Sequence, residues 1–381
     1  MVLRSACVKT ILVTTATTLA ACAVMPSSEE PEESNTSALS TCGNGVRETD
    51  EQCDDGAKLA LDGCSAKCKF EQVHRFNSLQ MQFGTDALCT VNALGGAVGA
   101  AAQKQLGDAL GKGVADGTAS ALFLLGDVAD LSGTSSGPLT LGSFVGDPVK
   151  APGYAGAHDL DWWYTPLATT LGPDRAPLAS LSASITNKVL TAGPGDLAFS
   201  LALGGSVASV SLSNVRATAL IGPTSAPSVA PSAATATSGH LAAEHLDPAL
   251  VSFETTTDGQ LCGNVSAASL AALPAPPELQ VGGSPGCNER YTAQSTMLDV
   301  FTSGCRVLFF SVISPIQPDQ TNPSAPAAGA GAPYKLVTTN KHVTGCTDKN
   351  GQSADLDTCL AAAAFSTSFK FTTGRVIARA N

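Results

Sequence analysis

Oxygen donors crowd the segment from residue 42 to residue 71, CGNGVRETDEQCDDGAKLALDGCSAKCKFE. There Asn44, Glu48, Asp50, Asp54, Asp55 and Asp62 stand among glycines that permit tight turns. Carboxylate and amide oxygens on sharply turning backbone are what a calcium loop requires, and Asn44, Asp54, Asp55 and Asp62 are the candidate ligands. The same side chains also cap their own backbone in turns, so both roles stay open. The spacing is not that of an EF-hand, and the segment holds no nucleophile beside a base.

A second constellation is the run His158, Asp159, Leu160, Asp161, Trp162, Trp163, Tyr164, which contains both tryptophans of the chain. On a strand, His158, Leu160, Trp162 and Tyr164 share one face, while Asp159, Asp161 and Trp163 share the other. Asp159, Asp161, Trp162, Trp163 and Tyr164 are therefore candidate ligand-binding residues for a glycan, by stacking beside a carboxylate. With aromatics at only 5% of the chain, core packing is the stronger expectation. Asp348, Asn350, Asp355 and Asp357 form a further oxygen-rich loop, a candidate for calcium or for plain solvation. His240, Glu244 and His245 miss the zinc-peptidase spacing, because residues five apart do not share a helix face. Two G-x-S-x-G matches, Gly133–Gly137 and Gly282–Gly286, lack the strand-to-helix context of a nucleophile elbow, and in the second Pro285 removes an N–H that the oxyanion hole needs.

Cysteines must hold what apolar residues do not. Cys42, Cys53, Cys64 and Cys68 fall in a segment almost without large apolar side chains, too small for a hydrophobic core of its own. Its pattern, CGNG at Cys42–Gly45, E-x-C-D-D-G at Glu51–Gly56 and D-G-C-S-x-x-C at Asp62–Cys68, resembles the Myxococcus-type cysteine-rich repeat, with Ala57 where the family usually has asparagine. Six further cysteines, Cys89, Cys262, Cys287, Cys305, Cys346 and Cys359, imply three bridges with 15 possible connectivities. Cys346 with Cys359 is the preferred pair because it closes a local polar loop.

Arg4 and Lys9 precede an apolar run, Ile11–Ala20, too short to span a bilayer; residues 1–21 read as a signal peptide. Leu19-Ala20-Ala21-Cys22 resembles the lipobox of bacterial lipoproteins, which implies lipid on Cys22 and, without aspartate at position 23, an outer-membrane location on the periplasmic or extracellular face. Residues 22–41, rich in Pro, Ser, Thr and Glu, read as an acidic flexible tether.

The chain is acidic, with a net charge of −11, and its 21 lysines and arginines are unclustered, so nucleic acid is not an expected partner. Expected partners are the membrane, through the lipid, and a polysaccharide or another surface protein. Calcium is the one cofactor considered. After a module at 42–73, residues 74–381 show period-two alternation broken by Gly, Pro, Asn and Ser. The expected fold is mainly β, a sandwich or jelly-roll-like domain with one or two packed helices, at 86–116 and 295–301. A binding, adhesion or structural role follows; the alternative is an extracellular hydrolase using Asp159, Asp161 or Glu244 on a glycan or peptide.

Overall fold

Eight segments whose apolar residues recur at every second position form the long strands of the molecule. They are β1 (Gln72–Met81), β2 (Ala121–Gly126), β3 (Ser135–Val149), β4 (Ala179–Thr186), β5 (Val189–Leu203), β6 (Ser206–Ile221), β7 (Thr255–Ser266) and β8 (Ala363–Ala378). The computed structural model describes residues 41–381 except 101, 105–106, 109–110, 112–120, 150–162, 204–205, 226–250, 285, 324, 326–332 and 379–381. Each strand pairs antiparallel with the next in sequence. The last returns to the first, from Val73↔Val376 to Met81↔Phe369, so the sheet closes on itself as an up-and-down barrel. The expected mainly-β architecture holds, with the two facing layers supplied by one closed sheet that has no free edge along its wall.

A barrel of eight strands has an interior narrow enough for side chains to fill. Phe76, Phe123 and Phe371 meet there with ring centroids 5.0 to 6.2 Å apart, and Leu181, Ile185, Leu197, Leu212 and Val215 join the same buried cluster. Strand β2, ALFLLG, is buried at all six positions. Its Ala121, Phe123 and Leu125 belong to the main core, while Leu122 and Leu124 belong to a second cluster on the outer wall with Val73, Phe144, Tyr164 and Leu61. The wall is dry here because other chain covers it: Leu61 comes from the cysteine-rich segment, and Tyr164 from the short strand Trp163–Pro166, which pairs with the ends of β3 and β8.

One end of the barrel is polar inside. His74 lies between Thr373 at 3.1 Å and Gln72 at 3.0 Å, Thr373 contacts Thr256 at 2.7 Å, and Arg375 donates to Ser252. The short helices α1 (Ala93–Ala97), α2 (Ala267–Ala272), α3 (Met297–Ser303) and α4 (Leu356–Ala362) accompany the strands, with α2 against α3 and α4. In α3 a capping box closes the first turn, with Thr296 and Asp299 each accepting the other's backbone N–H.

Several expected boundaries move. The helix expected over 86–116 starts only at Ala93, capped by Asn92, and is interrupted at Val98, which forms a bridge with Ile313, before helical backbone returns at the described residues 100, 102–104, 107–108 and 111. Asp86 instead accepts the N–H groups of Leu88 and Cys89 in a turn. Ser213-Asn214, residue types that favour turns, form a bulge within one strand, with Asn214 at φ 51° and the register shifting on both sides. Gly374 runs straight through β8, where a Cβ would come within 2.7 Å of the Asn77 amide. The true hairpin in this region is Asn187-Lys188, both at positive φ, between β4 and β5.

Five disulfides brace the fold: Cys42–Cys68, Cys53–Cys64, Cys89–Cys262, Cys287–Cys305 and Cys346–Cys359. The pair expected at Cys346 and Cys359 is present. Cys89–Cys262 spans 173 residues and pins the segment after β1 to the wall at β7.

Candidate functional site

Asp54 is the hub of the cysteine-rich segment. Its Oδ2 accepts N–H bonds from Gly43 and Asn44, and its Oδ1 from Gly45 and Gly56, at 2.8 to 3.2 Å. Gly43, Gly45 and Gly56 all have positive φ, the left-handed backbone that aims these donors inward and that glycine adopts without strain. Burial pushes the Asp54 carboxyl up, but the four N–H donors outweigh it and hold it below the usual carboxylate range. The segment thus folds around one anion satisfied by backbone, with two disulfides closing the loops.

The residues suggested as a calcium shell serve the local backbone: Asp54 accepts four N–H groups, Asn44 Oδ1 accepts from Val46, Asp55 from Ala57, and Asp62 from Cys64. These are Asx-type turns, in which the side chain substitutes for a backbone acceptor.

Asp62 instead belongs to the seam between this segment and the barrel. Glu71, just before β1, accepts the Leu61 N–H at 2.8 Å, and its carboxyl is pushed up to about 8 by burial and by the nearby charges of Asp62, Asp127 and Asp55. Burial, with Asp55 beside it, raises Asp62 to about 7. Further ties across the seam are Lys67 to Asp127 at 2.6 Å, Gln52 to the Ala129 carbonyl at 2.8 Å and Ala60 N–H to the Asp174 carbonyl at 2.9 Å.

Of the aromatic run, Asp159, Asp161 and Trp162 lie outside the described residues, as do His240, Glu244 and His245 and the lipid-attachment residue Cys22. Trp163 falls in the short strand against β3 and β8. Tyr164 is 1% exposed in the outer-wall cluster, so it is a packing residue and not a ligand platform. In the 346–359 loop, Asp348 accepts from Asn350 and Gln352, and Asp355 caps α4 through Thr358; both carboxyls are held low by these bonds, the roles of a turn and a helix cap. Ser135 opens strand β3 and Ser284 sits in a bend, so neither stands on an elbow.

Two surfaces escaped the sequence reading. An open groove of about 670 Å³ crosses the outer wall of β4 to β7, lined by Ser182, Ser184, Thr191, Arg216, Thr218 and Gln260, with Leu88 on its rim. Strand alternation alone marks these as outward positions, but only closure and the Cys89–Cys262 bridge make them one trough. The hairpin Cys305–Ile313 carries Leu308, Phe309 and Phe310 at its tip, with Phe309 97% exposed. Consecutive apolar side chains held in water on a braced turn are a feature of contact surfaces.

A family model described as Domain of unknown function (DUF4215) matches residues 30–69. No curated protein and no solved structure matches the chain. Fold and site together define a disulfide-braced, up-and-down β-barrel protein that carries a small cysteine-rich module on its outer wall. The module corresponds to the matched segment, and the four cysteines that form its two bridges all lie within it.

Proposed function

We propose that this chain is an exported lipoprotein, anchored through lipid on Cys22 to the outer membrane, that serves as a binding or adhesion component of the cell surface. The signal-like N-terminus, the lipobox resemblance and five disulfides in a chain of this kind support export to an oxidising compartment. Side chains of the described residues pack the barrel interior, which turns attention to its outer wall. The observation that carries the reading is the groove on β4 to β7: hydroxyls of Ser182, Ser184, Thr191 and Thr218 and the amide of Gln260 beside the exposed guanidinium of Arg216. Hydroxyl and amide groups exchange hydrogen bonds with sugar hydroxyls, and a guanidinium pairs with a carboxylate or sulfate, so an acidic polysaccharide fits this chemistry. The hydrolase alternative rests on Asp159, Asp161 and Glu244, all outside the described residues.

The test has two arms. Radiolabelled palmitate should enter the protein in a Gram-negative host and be lost in Cys22→Ala. On an array of neutral and acidic glycans, the protein should retain acidic glycans in a manner that Arg216→Ala abolishes and about 0.5 M salt weakens, because exposed charge pairs are screened. Absence of label, or retention unchanged by Arg216→Ala, would refute the respective arm.

A further inference from the structure

Within the cysteine-rich module two neighbouring carboxylates each keep a buried oxygen without a donor. Glu48 Oε2 and Glu51 Oε1 are both buried and have no hydrogen-bond partner, although the two carboxyl groups are within hydrogen-bonding reach of each other. Their other oxygens are engaged: Glu48 Oε1 accepts from the Asn44 amide at 3.0 Å, and Glu51 Oε2 from the Glu48 N–H at 2.9 Å. Those bonds fix both groups in place and leave one oxygen on each without a donor. Glu51 is only 6% exposed, and its carboxylate lies within 4.8 Å of that of Asp54 as well as in reach of Glu48, so this buried acid has another on either side. The sulfur of Cys68 shares that spot but is spent in the bond to Cys42 and offers no thiolate.

A buried carboxylate without a partner costs several kcal/mol, and a neighbouring pair of them costs more. The loop gives no lysine or histidine to this position; the nearest basic side chain, Arg47, donates to the Glu51 carbonyl. The missing partner is a cation. Oxygen-only donors, one free carboxylate oxygen on each of two glutamates, suit a hard divalent ion, and the irregular loop suits the flexible coordination of calcium better than the strict octahedron of magnesium.

We propose that Glu48 and Glu51, backed by the charge of Asp54, hold one calcium ion in the cysteine-rich module, with water completing its shell on the side where Glu48 is open. The ion neutralises the neighbouring carboxylates and cross-links the Asn44–Glu48 turn to the Glu51–Gly56 turn. This site is separate from the Asn44, Asp54, Asp55 and Asp62 set suggested by composition, and it stands independently of the lipoprotein reading.

The test is calorimetric titration of calcium chloride into the folded full chain after chelator treatment, at pH 7, with thermal unfolding in parallel. One ion should bind with a dissociation constant up to about 1 mM, the weak end for extracellular modules, and raise the unfolding midpoint. Glu51→Gln and Glu48→Gln, which keep the acceptor oxygens that receive the Glu48 N–H and the Asn44 amide, should each weaken binding at least tenfold. Asp55→Asn and Asp62→Asn should leave it unchanged. Should Glu51→Gln fail to form its disulfides, the more open Glu48→Gln carries the comparison. No binding at 1 mM, or undiminished binding in both glutamine variants, would overturn the proposal.

Discussion

Leu61 donates its backbone N–H to Glu71 Oε2 at 2.8 Å, a bond that ties the cysteine-rich module to the barrel at a buried carboxyl. The acceptor belongs to a carboxyl that burial and the charges of Asp62, Asp127 and Asp55 push up to about 8, while Asp62 is raised to about 7 with Arg175 as the one opposing cation. At neutral pH the seam therefore holds protons that the unfolded chain would release.

Stability should consequently fall as pH rises. Glu71 and Asp62 start from 4.5 and 3.8 in the open chain, so the folded form binds the extra protons between about pH 4 and pH 8. Their contribution is complete below about pH 4 and is lost as pH climbs through 7 and 8. Thermal midpoints measured from pH 5 to pH 9 should decline for the native chain and decline less for Glu71→Gln, whose amide oxygen still accepts the Leu61 N–H. A native profile that rises over this range would contradict the seam as described.

Tyr164→Ala should destabilise the fold by about 3–5 kcal/mol, the usual cost of emptying an aromatic site in a core. Tyr164 packs with Val73, Leu122, Leu124 and Phe144 on the outer wall. Denaturant unfolding measures the loss, and glycan retention by the fraction that remains folded should be unaltered. Loss of retention with full stability would restore Tyr164 as a ligand residue.

The strands were legible in the sequence because period-two alternation is a local property: Leu181, Ala183 and Ile185 alternate with Ser180, Ser182 and Ser184 whatever lies beyond them. Closure was not legible, since it depends on Val73 meeting Val376 across three hundred residues. Gly374 and Asn214 show the same limit from the other side. Both residue types favour turns locally, yet the register demanded by neighbouring strands kept one extended and made the other a bulge. In the module, composition revealed the acids but not their use. Asp54 looked like a ligand and is a backbone hub, whereas Glu48 and Glu51 owe their interest to burial, which no spacing records.

Removing the Cys89–Cys262 bridge should cost about 2–5 kcal/mol, because it releases a loop closed over 173 residues in the unfolded chain. The double variant Cys89→Ala/Cys262→Ala, compared with the native chain by denaturant titration, measures this. The groove should suffer along with stability, since Leu88 on its rim is held by that bridge. Glycan retention weakened in a double variant that is still folded is therefore expected, and retention at the native level would show that the rim is dispensable.

His74 makes the acid side of the profile. Complete burial, with Arg375 adding its charge, pushes the imidazole down to about 3 from 6.5, so it stays neutral inside the barrel. Between Nδ1 at Thr373 and Nε2 at Gln72 there is room for one ring proton, and Gln72 Oε1 can only accept, which assigns the proton to Nε2 and makes Thr373 the donor to Nδ1. The unfolded chain binds a proton here below about pH 6.5 that the folded chain refuses until about pH 3, so this contribution is present above 6.5 and is lost as pH falls toward 3. That trend opposes the one set by Glu71 and Asp62, and the two together should give a stability maximum on the acid side of neutrality. Nitrogen-15 spectra of the imidazole should show a neutral Nε2–H tautomer unchanged down to about pH 4. A ring that titrates near its ordinary value would mean that water reaches the polar end of the barrel.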